Sequence, residues 1–175
     1  MVEQWYRSRF GKVNAPGLRM ANLGTRLALA AALLTLCACS SQVAGGRAMA
    51  RGDYPEAVAS FRQALAEDPD SLETRRRLAA ALVHAGDPVG AQRVCEEVLA
   101  QAPGDPQATL YLGLALVAQG RRDEGFDRLA SYRHWQSPRE QQVVADAARR
   151  LRAHPDLSPE DLVREMERAL EQGRV

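Results

Sequence analysis

Beyond residue 40 the apolar positions recur three and four residues apart, the spacing of one face of an α-helix. Between Leu72 and Ala85 the stripe is Leu78, Ala81, Leu82 and Ala85; between Gly90 and Ala100 it is Ala91, Val94, Cys95, Val98 and Leu99. Gly86 supplies the backbone freedom that ends the first of these helices. Asp87-Pro88 opens the second with a capping side chain and a first-turn proline. Two further helices are predicted downstream. Ser137-Pro138-Arg139-Glu140 reads as a capping box leading into Val143, Val144, Ala147, Ala148 and Leu151. His154-Pro155 then breaks the chain, and Ser158-Pro159-Glu160-Asp161 opens a last helix with Leu162, Val163, Met166, Ala169 and Leu170 on one face and Gly173 as its stop.

The pattern repeats. Gly52, Gly86 and Gly120 fall 34 residues apart, as do Asp53 and Asp87, Ala57 and Ala91, and Pro69 and Pro103, all in one phase. Gly45 and Ala57 stand at close-contact positions of the first copy, with Tyr54 and Phe61 as large knobs, Ala64 small again and Pro69 as the stop. The second copy has Leu78, Ala79, Gly86, Ala91, Cys95, Val98 and Pro103 in these places; the third has Leu112, Gly113, Gly120, Gly125, Leu129 and Tyr132, with its proline displaced to Pro138. Over residues 41–138 this register resembles the tetratricopeptide repeat. The resemblance implies an all-α, right-handed superhelical solenoid of about three helix pairs, here at 44–138, followed by capping helices at 139–175. Arg75 and Thr109 stand where the family places a bulky aromatic, which predicts looser packing there.

The N-terminal stretch has a different character. Leu27–Cys39 is thirteen residues without a charge, preceded by Arg26 and followed by Ser40 and Ser41. It is too short to span a bilayer and fits the apolar region of a signal peptide. The competing reading, a cytoplasmic extension ending in a buried helix, lacks the polar face of an amphipathic helix. Leu36-Cys37-Ala38-Cys39 resembles the lipobox of bacterial lipoproteins. That resemblance implies a signal peptide over 1–38, a lipidated Cys39 as the mature N-terminus, a tether over 39–43, and stable membrane anchoring. Met20 opens a compact basic leader, so residues 1–19 are expected to precede the true start. Ser40 stands where many inner-membrane lipoproteins of Gram-negative bacteria carry Asp, which favours the outer membrane and its periplasmic face.

Charge and composition exclude several classes of function. The chain of 175 residues has an ordinary globular profile, 46% hydrophobic and 26% charged. After Cys39 it carries 18 Arg, no Lys and 21 acids, a net −3, and aromatic residues make up 5% of the whole. A mildly acidic body poor in aromatics is a weak match for nucleic acid. With Cys37 removed and Cys39 acylated, Cys95 is the one thiol expected to remain free; it lies in a helix seam and is read as a small buried hydrophobe rather than a reactive thiol. His84, His134 and His154 have no second ligand at helical spacing, so no metal or cofactor is expected. Acidic residues such as Glu165, Glu167 and Glu171 read as decoration of solvated faces. Neither a phosphate loop nor a nucleophile elbow is present, and the chain reads as a non-enzyme without a small-molecule substrate.

What remains is a surface for protein partners. In the family the first helices of the pairs line a concave groove. Carried onto this chain, its positions are Val43, Arg47, Ala50 and Arg51; Glu73, Arg76, Ala80, Val83 and His84; and Gln107, Leu110, Leu114, Val117 and Ala118. The third set is strongly apolar, either a docking strip or a seat for the protein's own last helix. With that helix as a cap, the partner is expected at the polar end around Arg47, Arg51 and Arg76. Arg75-Arg76-Arg77 reads as a mainly solvated run. The expected role is a scaffold in assembly of an envelope, pilus or secretion complex; the alternative is a regulatory accessory subunit of a periplasmic enzyme or transport complex.

Overall fold

In the computed structural model, which describes residues 41–174, the helical periodicity is realised throughout, and these residues fall in one unit of the chain. The signal region, Cys39 and Ser40 lie outside the described residues. Among those described, eight helices follow one another: α1 over residues 41–50, α2 Tyr54–Glu67, α3 Leu72–His84, α4 Pro88–Gln101, α5 Pro106–Ala118, α6 Arg122–Ala130, α7 Pro138–Arg152 and α8 Pro159–Arg174. Among the described residues there is no strand, and no helix is long and apolar enough to cross a membrane.

The repeat punctuation does what its chemistry requires. Gly52, Gly86 and Gly120 take positive φ at helix ends (73°, 76° and 79°), a region L side chains rarely enter. Asp53 and Asp87 then cap α2 and α4, accepting from the backbone N–H of Glu56 and Gly90. In the third copy Arg121 occupies this place and α6 starts without a side-chain cap.

Consecutive helices pack antiparallel through small residues. A Cβ on Gly45 would lie 2.6 Å from Phe61, and one on Gly113 would lie 2.6 Å from Leu129. Ala57 and Ala91 are fully buried between their neighbours. At the two positions where looser packing is expected, the side chains find local neighbours. Thr109 is buried, and Arg75 folds its guanidinium onto the Pro69 carbonyl and towards Glu97.

Two boundaries and one cap differ from expectation. Residues 41–43, assigned to the tether, are already helical: Ser41 is buried and donates to Glu67, and Gln42 donates to the Thr74 hydroxyl. Glu140 closes only half a capping box. Its N–H reaches Ser137 Oγ at 3.4 Å, but its buried carboxylate turns inward to accept from the Tyr132 hydroxyl at 2.7 Å. Gly173 does not stop α8 but lies inside it, where a Cβ would come within 3.2 Å of the Glu140 backbone. A side chain there would require α7 and α8 to give by a few tenths of an ångström.

Candidate partner-binding groove

The first helices of the repeats stand side by side, with α3 against α5, and α8 continues the row by packing on both α5 and α7. Leu162, Met166, Ala169 and Leu170 of α8 are buried as the predicted strip requires. The turn before α8 is held by Arg122, whose guanidinium donates to the carbonyls of Leu151, His154 and Leu157 and lies over the Phe126 ring. One half-buried arginine thus ties the end of α7 to the loop that leads into α8.

Of the residues expected to meet a partner, Arg47 and Arg51 are exposed near the end of α1, beside Val43 at 50% exposure. Arg76 is used inside the chain. Its guanidinium meets Asp105 at 2.7 Å and Glu73 at 3.3 Å, while Asp105 also caps α5 by accepting from Ala108 N. The Asp105 hydrogen bond raises the Arg76 pKa above its ordinary value. Arg76 therefore joins the second repeat to the third rather than waiting for a ligand. Arg75 and Arg77 likewise meet Glu97 and Glu73, so the triple-arginine run is tied to local acids.

Leu110, Leu114 and Val117 are buried, and their assignment as partner contacts does not hold. Spacing alone put them on one face, but that face turns partly into the pair seam: a Cβ on Gly125 of α6 would lie 2.6 Å from Val117 Cγ2. Ala80 is buried as well. Val83, His84 and Ala118, by contrast, do come together. They line a cleft of about 310 Å³ with Gly86, Pro88 and three residues of α8, Glu160, Val163 and Glu167.

His84 is fixed from both sides, its ring stacked on Tyr54 at 4.8 Å and its Nδ1 3.3 Å from Glu167 Oε1. Burial holds the Glu167 carboxyl above the usual range; His84 opposes that shift and Glu171 adds to it. Glu167 is therefore no solvated decoration. The signal that could have found it is the row Glu160, Val163, Glu167 and Glu171, which recurs at three and four beside the buried strip.

The remaining candidate chemistry is quiet. Cys95 is buried, and desolvation pushes its thiol up to about 12, so it stays protonated at neutral pH. No group of three or more His, Cys, Asp or Glu among the described residues could hold a metal ion.

The geometry agrees with comparisons to known proteins. The tetratricopeptide repeat family model matches residues 48–93 and 82–154. A solved structure of the Sgt2 tetratricopeptide repeat domain from Aspergillus fumigatus superposes with a TM-score of 0.50 at 21% identity, covering 78% of this chain and 76% of that one. At that identity the likeness speaks to the fold alone. No match was found among curated proteins. Helix pairs in a 34-residue register, glycine-seamed and matched over most of the described residues, place the chain in the tetratricopeptide repeat family, whose domains generally mediate protein–protein interactions.

Proposed function

We propose that this chain is a bacterial envelope lipoprotein, anchored through Cys39 at the periplasmic face of the outer membrane, whose solenoid holds a protein partner during assembly of an envelope, pilus or secretion complex. The observation that carries the scaffold role is the contrast along the groove. Its C-terminal half is filled by α8, while Val43 and Arg47 on α1 and Arg51 in the turn after it stay exposed. A partner therefore meets the first repeat, close to the anchored end. The anchor itself is supported by the charge-free run Leu27–Cys39 and its lipobox-like end. Several acyl chains hold a protein on a bilayer far more firmly than one.

Photo-crosslinking in cells from position 47 tests the scaffold role. A discrete crosslinked protein is expected from 47, and none from the solvent-facing position 97. Equal crosslinking from both positions would overturn the assignment. Labelling with a radioactive fatty acid tests the anchor: Cys39→Ala should lose the label and Cys37→Ala should keep it.

A further inference from the structure

The loop between α6 and α7 holds a large apolar side chain out in water. Trp135 is 83% exposed, more than any other large hydrophobic side chain among the described residues. The loop that carries it is pinned. His134 N–H donates to Gln141 Oε1 at 3.1 Å, Ser137 N–H to the His134 carbonyl at 3.1 Å, and the Tyr132 hydroxyl to the buried Glu140 at 2.7 Å. The neighbours of the indole are cationic. From Arg128 to Arg139 the chain carries three Arg and no acid, although the body after Cys39 has 21 acids against 18 Arg. All three arginines are exposed, and the acids that flank the stretch are engaged elsewhere, Asp127 by Arg152 at 2.7 Å and Glu140 by Tyr132.

This loop shares an edge of the helix stack with the start of α1. Antiparallel helices send successive turns to alternate edges, so the start of α1 lies on the edge of the α2–α3, α4–α5 and α6–α7 turns. Side-chain bonds follow that row: Ser41 donates to Glu67 at the end of α2, Gln42 to Thr74 in the first turn of α3, and Arg76 of α3 meets Asp105 at the start of α5. The α7–α8 turn lies on the opposite edge, gripped by Arg122 at the start of α6. Ser41 is already helical and only two residues beyond Cys39, a reach of about 7 Å in extended chain. Lipid on Cys39 therefore brings this edge, and the α6–α7 loop with it, to the bilayer. Tryptophan settles among lipid headgroups, its ring in the interface, and arginine is drawn to an anionic lipid surface.

We propose that the α6–α7 loop is a second membrane contact of the anchored protein, in which Trp135 enters the headgroup region and Arg133 and Arg139 meet lipid phosphates. The inference rests on the reading of Cys39 as the lipidated residue. Asp68 and Asp70 share this edge, but they stand in the turn beside α1, where the covalent lipid and not charge holds the chain. With both contacts made, the solenoid stands edge-on to the bilayer. Arg51, after the other end of α1, then points away from the lipid and stays open to a partner.

The test uses the full chain with Trp5→Phe, which leaves Trp135 as the one indole whatever the processing. It is produced with a fatty-acid label and reconstituted into vesicles of phosphatidylethanolamine and phosphatidylglycerol. Bromine on the acyl chains near the headgroups should quench Trp135 emission about twofold relative to unbrominated vesicles. Arg139→Gln at its exposed position, and phosphatidylcholine in place of phosphatidylglycerol, should each reduce that quenching. Equal emission from brominated and unbrominated vesicles, with the label present, would overturn the contact and leave the anchor standing. Quenching of a chain without label would support the contact and remove the anchor reading, and loss of both label and quenching would remove both. Quenching indifferent to Arg139 and to lipid charge would overturn the part given to the arginines. A photo-crosslinker at position 135 that yields a discrete protein adduct in cells, and no lipid adduct, would assign the loop to a protein partner and overturn the proposal.

Discussion

The two ends of the concave face are built from equivalent helices and end up in opposite states. At the amino end, α1 and the turn after it show Val43, Arg47 and Arg51 to solvent, and a Cβ added to Gly46 would meet nothing within 4 Å. At the carboxyl end, α5 is buried on nearly every side, from Ala108 to Val117. Its sequence, Thr109-Leu110-Tyr111-Leu112-Gly113-Leu114-Ala115-Leu116-Val117, has no polar face, and a helix apolar all round must be covered all round. Repeat geometry offers the same groove at both ends. The side chains of the first helix decide whether it stays open, and α8 is the cover that α5 requires.

Removing that cover breaks the comparison most severely. Deleting residues 156–175 strips Leu162, Met166 and Leu170 from the core, each worth roughly 1.5–3 kcal/mol when fully buried. After allowance for the entropy of ordering α8, a loss of at least about 3 kcal/mol is expected, with a fall of about 10 °C in Tm and new binding of a hydrophobic dye. An unchanged Tm would mean that α5 does not depend on α8.

The next effect is local to the third pair. Gly125→Ala puts a methyl group 2.6 Å from Val117 Cγ2 and 2.8 Å from the Gly113 carbonyl, and backbone cannot yield as a side-chain tip can. A cost of about 1–3 kcal/mol is expected in urea unfolding. A neutral result would show that α5 and α6 can separate, and the tight end would no longer be tight.

The architecture was legible in the sequence because glycine, aspartate and proline each act locally. A positive-φ turn, a cap and a helix stop need no knowledge of the rest of the fold, and at 34-residue spacing they reveal the pairs. Side-chain destinations across the groove were less legible. Val117 and Leu114 share a helix face by spacing, but which neighbour covers that face depends on how far the helices rotate at the Gly113–Gly125 crossing. Arg76 looked available because its partner, Asp105, is 29 residues away and reads from sequence as an ordinary cap. Glu167 looked solvated because nothing in its own helix says that His84 lies opposite. Local chemistry is written in the sequence, whereas pairing across repeats emerges only from packing.

Glu167 also gives the covered end a pH dependence. Its folded pKa is raised above the unfolded value, so the native state holds this proton more tightly. The group's contribution is favourable below the ordinary Glu range and is lost as pH rises through the elevated value. Glu167→Gln should therefore be at least as stable as wild type near pH 7.5, and that advantage should shrink as pH falls towards 4. Urea midpoints at the two pH values measure it; a gap that widens on acidification has the wrong sign and would locate the strain elsewhere.

The smallest effects belong to the open end, where the comparison predicts tolerance. Gly46 lies within α1 with free space around its Cα, so Gly46→Ala should leave the fold undisturbed and stabilise it by about 0.5–1 kcal/mol through the reduced entropy of the unfolded chain. The same substitution chemistry thus takes opposite signs at Gly46 and Gly125. Arg47→Ala and Arg51→Ala remove exposed cations and should shift stability by no more than about 0.5 kcal/mol. Their effect should fall instead on a crosslink formed from the neighbouring position 43. If the double substitution lowered Tm while leaving that crosslink unchanged, the two arginines would be structural, and the amino end of the groove would belong to the fold as fully as the carboxyl end does.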